Sequence, residues 1–298
     1  MSESLRFETW DVFTDMRFTG NQLAVVFDAD VLTGETMQAI TREFGYSETV
    51  FVLEGQQAGC DARLRIFTPG GELPFAGHPT VGAAAAIARR HDLQGGLELQ
   101  LDAGRFPVRV TGSGEVRHAE FENPNLPRVV AEGPDTGLVE TALGLPRGSV
   151  AGGPERPRRC GAGIDFVYAA APLEAVNNAS LNTAAWAALA LGDACGVLLY
   201  APAAQESPAD WHVRMFGPHI GVAEDPATGS AAAGLPAQLR AAGELVDGSF
   251  DWRVEQGVEM GRPATIRVRF DLRQSTFASL HVGGQAVLVS SGEIRYRR

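Results

Sequence analysis

Hydrophobic and polar residues alternate in short stretches through the first half of the chain, a pattern typical of strands that bury one face. Residues 34–44 instead carry apolar side chains at helical spacing, between Thr33 as the predicted cap and Gly45 as the predicted end. The alanine-rich segment 79–90 is apolar on all sides, which predicts a buried helix. The predicted strands of this half are 6–13, 23–27, 47–53, 64–67, 97–101, 106–110 and 116–121.

The second half of the chain repeats this mixture. The stretch 123–127, Asn-Pro-Asn-Leu-Pro, interrupts the pattern and predicts a linker. The alanine-rich segment 229–242 predicts another buried helix, which Pro236 should kink or end early. The other predicted elements are a helix at 183–191, strands at 165–171, 196–200 and 212–216, and hairpin strands at 264–270 and 280–289.

An internal repeat links the two halves. Arg65–Pro69 and Arg214–Pro218 both read Arg, then Ile or Met, Phe, any residue and Pro, about half a chain length apart. Each is followed by a glycine that opens an alanine-rich segment, Gly77 in one half and Gly229 in the other. The shared context favours duplication over a chance match.

Duplication predicts two similar α/β domains in the 298 residues. Their predicted bounds are 1–124, with 286–298 as a candidate strand to complete it, and 125–298. The alanine-rich helix would then begin at the equivalent place in each domain and point in the equivalent direction. If a pseudo-twofold axis relates the domains, the two N-termini face one cleft.

Composition removes several classes of enzyme. All 25 basic residues are arginine, and a chain without lysine forms no Schiff base, holds no pyridoxal phosphate through lysine and has no Walker-type P-loop. The six histidines make no HExxH or HxH pair, and the three cysteines make no CxxC. The chain also contains no GxSxG elbow and no GxGxxG after a strand. These absences set aside many common classes of enzyme.

Charge and cysteine usage limit the partners and the compartment. A net charge of −11 without a basic face argues against nucleic acid. The chain starts without the basic and apolar regions of a secretory signal, and the longest mildly apolar stretch, 181–204, is interrupted by Gly192 and Asp193. Three scattered cysteines fit a reducing compartment. We expect a cytoplasmic protein that binds a small molecule, with no membrane partner.

Two helix N-termini at one cleft would bind an anion without any lysine. Each end presents unpaired N–H groups and about half a positive charge. Gly77 and Gly229 would let a carboxylate approach the backbone closely. The alternative is a pair of ordinary helix starts, with His78 and Ser230 as caps and Pro79 in the first turn. The repetition of the pattern favours the anion site.

Glu48 is the candidate acid–base residue. It shares a face of the strand 47–53 with two valines, and on a core-facing side its pKa would rise toward the range that proton transfer near neutral pH requires. The alternative is a solvated glutamate at a strand end. Asp225 and His78 have structural alternatives too, as a helix-dipole partner and as a buried core histidine.

Six segments of the chain together resemble the PhzF-like family of phenazine-biosynthesis proteins. They lie in the family's order and span nearly the whole chain: FTGNQLAVV (18–26), SETVFV (47–52), RIFTPGGELPFAGHPTVGAA (65–84), EDPATGSAAAG (224–234), VEQGVEMGRP (254–263) and VGGQAVLVSSGEI (282–294).

The resemblance implies the diaminopimelate-epimerase-like fold, an α/β architecture of two pseudo-symmetric domains that each wrap a sheet around a central helix, with the active site between them. It also implies a cofactor-independent isomerase that acts on a small carboxylate. The best-known member of the family isomerises trans-2,3-dihydro-3-hydroxyanthranilate in phenazine biosynthesis. A homodimer is expected from the resemblance alone.

The resemblance assigns roles to particular residues. The glutamate that matches Glu48 removes a proton and returns it elsewhere on the conjugated substrate. Asn21 is a further candidate for substrate contact, although a turn role after Gly20 is an equal alternative. The residues implied to assist by hydrogen bonding are His78, Asp225 and Ser230, and those implied to hold the substrate carboxylate are Gly77 and Gly229.

The chain departs from the wider superfamily at the two helix starts. Epimerases and racemases that resemble it use two cysteines there as opposed acid and base. Here Ala76 and Ala227 occupy the matching places. We therefore expect proton transfer by one carboxylate on one face of the substrate, not racemisation by two thiols.

Two other functions fit the same residues. One is an isomerase or epimerase of this fold that acts on another small hydroxy or amino acid. The other is a non-catalytic protein that binds small anions. Turnover by the purified protein, and its loss in Glu48→Gln, separates catalysis from binding.

Overall fold

The structure is a computed structural model, and it describes residues 3–296. The chain forms two compact units. The first unit comprises the residues up to Glu122 together with those from Gly283 onward, and the second runs from Asn123 to Val282. The division into domains 1–124 with 286–298 and 125–298 stays a prediction, and positions 297 and 298 of that last strand lie outside the described residues.

The first unit consists of nine strands and two α-helices over residues 3–122 and 283–296. In chain order its elements are β1 (Glu3–Val12), β2 (Asn21–Val26), α1 (Gly34–Phe44), β3 (Glu48–Leu53), β4 (Ala62–Thr68), β5 (Gly71–Leu73), α2 (Gly77–Arg90), β6 (Gly95–Leu101), β7 (Gly104–Ser113), β8 (Val116–Glu122) and the later part of the last strand of the chain, Thr276–Tyr296.

The sheet of the first unit closes on itself. From β8 the pairing runs through β7, β6, β4, β3 and β2 to β1, then to the last strand, which pairs with β8 again. The pairs β2–β3 and β4–β6 are parallel. Closure leaves the interior of the sheet as the core of the unit.

Helix α2 fills that interior. It packs against β1, β2, β3, β7 and β8, and every residue from Gly77 to Ala88 is buried. A helix that is surrounded by strands needs small side chains on every face, which explains the alanine run. At Gly82 a Cβ atom would lie 2.5 Å from Leu23 Cδ2, so only glycine allows this approach.

The second unit repeats the mixture over residues 123–282. Its elements are β9 (Arg128–Glu132), α3 (Thr136–Ala142), β10 (Arg158–Gly161), β11 (Asp165–Ala170), α4 (Leu173–Asn178), α5 (Thr183–Trp186), β12 (Val197–Pro202), β13 (Trp211–Gly217), β14 (Val222–Asp225), α6 (Gly229–Ala242), β15 (Gly248–Gln256), β16 (Ala264–Arg273) and the start of β17 (Thr276–Tyr296).

Strand pairing shows that the two units share one plan. In the first unit β1–β2 is antiparallel, β2–β3 parallel, β3–β4 antiparallel and β4–β6 parallel. The pairs β10–β11, β11–β12, β12–β13 and β13–β15 follow the same sequence of senses. Helix α6 corresponds to α2, since both have 14 residues and both are almost entirely buried.

The sequence repeat is also a repeat of local contacts. Arg65 binds both carboxylate oxygens of Glu72, at 2.6 and 2.7 Å, and Arg214 binds both of Glu224, at 2.7 and 2.9 Å. Each guanidinium also lies over the phenylalanine ring two residues further on, 5.1 and 5.0 Å from the ring centroid. Bidentate pairing and cation–π contact together explain why both repeats keep Arg and Phe at this spacing.

Two predictions of helix boundaries are wrong. The early end predicted at Pro236 does not occur, since helix α6 continues through this buried residue to Ala242, held by the strands around it against the preference of proline, while the alternative of a kink stays a prediction. The helix predicted over 183–191 ends at Trp186 and gives way to a 3-10 turn, after which Ala190 takes a left-handed conformation with φ 48°. Strands β5, β9, β10, β14 and β15 and helices α3 and α4 were not predicted, mostly because short elements show too few periods.

Gly234 in α6 provides a test of the packing in the second unit. A Cβ atom there would lie 2.1 Å from the hydroxyl oxygen of Tyr168, which donates a 2.7 Å hydrogen bond to Ala231 O and so cannot turn aside freely. We expect Gly234→Ala to lower the free energy of unfolding by about 1–3 kcal/mol in urea titration. In the Tyr168→Phe background the same change should cost less, and an equal cost in both backgrounds would contradict this packing.

Candidate active site

The first unit brings a carboxylate and an imidazole together at the start of its central helix. Glu48 is the first residue of β3, and His78 is the second residue of α2. His78 Nε2 lies 3.5 Å from Glu48 Oε2, slightly beyond hydrogen-bonding distance, and the two side chains are 6% and 17% exposed. We call Asn21, Ser47, Glu48, Gly77 and His78 the first cluster.

Burial changes the acidity of Glu48. Desolvation raises the pKa of its carboxyl from the ordinary 4.5 to about 7, against a smaller lowering by the neighbouring Ser47 side chain. Its Oε2 atom is shielded from solvent and accepts no hydrogen bond from the residues that the structure describes. A carboxyl group with this pKa exists in both protonation states near neutral pH and can serve as base and as acid.

Asn21, on the neighbouring strand β2, binds Ser47, the residue that precedes Glu48 in the chain. Asn21 is the buried first residue of β2, not a turn residue, and its Oδ1 atom accepts a 3.3 Å hydrogen bond from the Ser47 hydroxyl. Gly20 before it has φ +63°, and a Cβ atom there would lie 2.3 Å from Val12 O. Only glycine therefore permits the turn that delivers Asn21 to this place.

Neither central helix begins with a capping side chain. The cap positions are Ala76 for α2 and Thr228 for α6, and neither side chain accepts a hydrogen bond from the first turn. His78 and Ser230 are therefore not caps, because each is the second residue of its helix. Uncapped first turns present backbone N–H groups and the positive end of the helix dipole.

The second unit contains the other predicted residues, around the start of α6. We call Asp225, Thr228, Gly229, Ser230 and Gln256 the second cluster. Asp225 ends β14 and is 9% exposed. The Thr228 hydroxyl donates a 2.5 Å hydrogen bond to Asp225 Oδ2, and the half-buried Ser230 follows Gly229 in the first turn of α6.

Three residues of these clusters were not predicted as functional. Ser47 lies beside Glu48, and Thr228 and Gln256 bind Asp225 and each other. The sequence contains only a weak signal for them, because all three lie in segments that resemble the family but none carries a charge or a recognisable motif.

A cavity of about 770 Å³ in the first unit lies at the opposite, C-terminal end of α2. Four arginines line it, and four carboxylates face them, so the formal charges balance and the cavity has no preference for anions. Its charged lining residues are Arg6, Glu8, Arg89, Arg90, Asp92, Glu115, Arg117 and Glu293.

The cysteines lie away from both helix starts in sequence. Burial raises the pKa of the Cys160 thiol to about 12 and raises that of Cys195 as well, so both stay protonated near neutral pH. Within residues 3–296, no cluster of three or more histidine, cysteine, aspartate or glutamate side chains could hold a metal ion. No helix in that same range has the length and apolar character needed to cross a bilayer.

Comparison with solved structures identifies the fold. The crystal structure of the Bacillus anthracis phenazine biosynthesis protein of the PhzF family matches 98% of this chain and 99% of its own, with a TM-score of 0.87 and 24% sequence identity. The predicted diaminopimelate-epimerase-like α/β fold is thereby confirmed.

Relatives in sequence identify the class of protein. An uncharacterized isomerase of Mesorhizobium japonicum is 38% identical over 96% of this chain and 97% of its own. The trans-2,3-dihydro-3-hydroxyanthranilate isomerase of Pseudomonas chlororaphis is 35% identical over 95% of this chain and 97% of its own. With a buried carboxyl group of near-neutral pKa on this fold, the chain is an isomerase.

The family follows from the match over nearly the full length. The family model described as phenazine biosynthesis-like protein, PhzC-PhzF, matches residues 10–292. The chain belongs to this family, as the motifs predicted.

Proposed function

We propose that this isomerase moves a proton between two carbon atoms of a small carboxylate substrate, and that trans-2,3-dihydro-3-hydroxyanthranilate is the first substrate to test. The observation that carries the proposal is the Glu48 carboxyl, buried beside His78 with a pKa of about 7. The choice of substrate rests on the named activity of the Pseudomonas chlororaphis relative.

Glu48 acts first as base and then as acid. The ionised carboxylate takes a proton from a carbon next to the conjugated system, and the electron pair of that C–H bond moves into the system. The protonated Glu48 then returns the proton to a different carbon, which restores the carboxylate. The reaction is redox-neutral and consumes no co-reactant, so we propose that it runs without a cofactor.

In this proposal the first turn of α2, in the first unit, and the first turn of α6, in the second, are each a place where a carboxylate can bind. Gly77 and Gly229 open the two helices without a Cβ atom, and no side chain caps either end. Backbone N–H groups in such a position favour an anion, which matters in a chain of net charge −11 that repels anions at long range. Asn21 contributes through Ser47, by fixing the neighbour of Glu48.

The remaining polar residues stabilise the charge that develops on the substrate. His78 lies beside Glu48 and is proposed to share or relay its proton. Asp225 and Ser230 are proposed to bind polar groups of the substrate from the start of α6. Each contributes through hydrogen bonding, so each loss should cost less than the loss of Glu48.

The setting of the enzyme is part of the proposal. We propose a homodimer in the cytoplasm, whose only partner in the reaction is the small substrate. The three cysteines are free thiols, which fits a reducing compartment.

A different small hydroxy or amino acid is the second candidate substrate. The Mesorhizobium japonicum relative is more similar to this chain than the Pseudomonas chlororaphis enzyme and carries no stated substrate. The fold and Glu48 would serve such a substrate by the same proton transfer.

Turnover measured against pH tests the proposal. Purified protein treated with a metal chelator should convert trans-2,3-dihydro-3-hydroxyanthranilate, and kcat/KM should rise as the pH passes about 7 and then level, because the free enzyme must hold Glu48 ionised. Loss of turnover on chelation would overturn the cofactor-free mechanism. Tight binding without turnover would identify a small-anion-binding protein instead.

A further inference from the structure

Gln256 is a fully buried amide beside the start of α6. It is the last residue of β15 and has no exposed surface. Its Oε1 atom accepts a 3.0 Å hydrogen bond from the Thr228 backbone N–H. Its Nε2 atom donates to the Asp225 carbonyl at 2.7 Å and to the Thr228 hydroxyl oxygen at 3.0 Å.

These partners fix which way the amide faces. A backbone N–H can only donate and a backbone carbonyl can only accept, so the oxygen of Gln256 must face Thr228 N and the nitrogen must face Asp225 O. A flipped amide would place donor against donor and acceptor against acceptor. The orientation is therefore determined by the backbone and not by the choice of rotamer.

The fixed amide in turn sets the direction of the Thr228 hydroxyl. Because Gln256 donates to the hydroxyl oxygen, the hydroxyl hydrogen is left to donate, and it points at Asp225 Oδ2, 2.5 Å away. An acceptor-only carboxylate suits this arrangement, since hydrogen bonds to an ionised acceptor are the shorter and stronger kind. The chain from Gln256 through Thr228 to Asp225 thus fixes the orientation of the Asp225 side chain.

The same chain keeps the helix start open. A threonine at the cap position of α6 would ordinarily turn its oxygen onto the N–H groups of the first turn. Here the hydroxyl is engaged by Gln256 and Asp225, and it makes no capping bond. The N–H groups that follow Gly229 therefore remain without side-chain competition for a ligand.

Gly257 allows the end of β15 to lie close to the segment that joins β14 to α6. It has φ +79°, and a Cβ atom there would lie 2.6 Å from Pro226 O. Any side chain would push the end of β15, and with it the Gln256 amide, away from Pro226, the residue that follows Asp225.

We propose that Gln256 is a positioning residue for the reaction. Acting through Thr228, it fixes the Asp225 carboxylate and leaves the start of α6 free to bind the substrate carboxylate. This inference rests on the proposed function for its kinetic consequence, whereas the positioning itself can be measured without any substrate.

Kinetics of a double-mutant cycle test the positioning. We expect Gln256→Met and Thr228→Val each to lower kcat about tenfold, and the double variant to lower it by about the same factor, because both break one chain. Thr228→Ser should restore most of kcat, since serine keeps the hydroxyl. The control is Gln238→Met, which removes another fully buried glutamine, one that lies further along α6 and donates to the carbonyls of Glu155 and Arg156. An equal loss in the control, or independent losses of about a hundredfold in the double variant, would overturn the proposal.

Hydrogen exchange separates this proposal from the proposed function. In the wild-type protein the Thr228 N–H should exchange slowly, and Gln256→Met should speed its exchange at least about tenfold while Gln238→Met leaves it unchanged. If the wild type fails to turn over trans-2,3-dihydro-3-hydroxyanthranilate, the proposed function fails and the exchange result alone judges the positioning. Unchanged exchange at Thr228 in Gln256→Met would overturn the proposal whatever the activity.

Discussion

Glu48→Gln is expected to lower kcat by about two to four powers of ten, the range that a positioned acid–base residue contributes. Glutamine keeps the shape and polarity of the side chain but can neither take nor return a proton. The groups that the structure places against the Glu48 carboxyl are the His78 imidazole, 3.5 Å away, and the Ser47 side chain, and neither of them is a carboxylate. Steady-state assays measure the loss of kcat at pH 8, where Glu48 of the wild type is ionised.

Glu54→Gln is the matched control. Glu54 follows the same strand, β3, but is exposed. Its replacement should leave kcat and KM within a factor of about two, because an exposed side chain away from the first cluster does not reach the substrate. A similar loss of activity in both variants would indicate a general effect of charge and would remove Glu48 from the mechanism.

The same Glu48→Gln variant should be more stable than the wild type at neutral and higher pH. Burial raises the pKa of this carboxyl from 4.5 to about 7, so folding favours the protonated form. The stability that the neutral carboxyl provides is fully present below 4.5 and is lost as the pH rises through 7. A pKa shift of this size corresponds to a loss of about 3 kcal/mol in the free energy of unfolding above pH 7. The glutamine variant does not suffer this loss, because its side chain cannot ionise.

Urea titrations of both proteins at a series of pH values measure this effect. The advantage of Glu48→Gln should be small near pH 4.5 and should grow until the pH has passed 7. Glu140→Gln is the control, because Glu140 is more deeply buried than Glu48 but accepts hydrogen bonds from the N–H groups of Gly148 and Val150. It should lose stability instead. A pH-independent difference for Glu48→Gln would show that this carboxyl is not held neutral by burial.

If Glu48→Gln both lowers kcat and raises the free energy of unfolding, Glu48 is a residue that serves function and lowers the stability of the fold. A carboxylate that is only structural is expected to lose stability on replacement, as Glu140 should. The two measurements together therefore distinguish a catalytic glutamate from a buried core residue, the alternative that the sequence pattern left open.

Much of the fold could be predicted because its signals are local and repeated. The predicted helices 34–44 and 229–242 match α1 and α6, and the cap Thr33 and end Gly45 are observed. The alanine-rich segments pointed to buried helices because only small residues suit a helix that strands surround. The repeated Arg-x-Phe pattern predicted a duplicated structure, and strand pairing shows the same plan in both units.

The parts that could not be predicted depend on contacts between distant segments. The prediction that Pro236 ends α6 early is wrong because the surrounding strands outweigh a local preference. Gln256 lies 31 positions after Asp225, and nothing in its own neighbourhood shows that its amide closes on Thr228. The alternating pattern of the strand predicted that Glu48 lies on an apolar face. Its proximity to His78 could not be predicted, because it depends on the closed sheet that surrounds α2.

Deuterium incorporation in heavy water is the most direct test of the central claim, that Glu48 carries the transferred proton. Wild-type protein and Glu48→Gln are each incubated with trans-2,3-dihydro-3-hydroxyanthranilate, and NMR follows the label in the recovered product. The account predicts product that carries deuterium at the newly protonated carbon with the wild type, and neither product nor label with the variant. Equal turnover and equal labelling by the two proteins would contradict it.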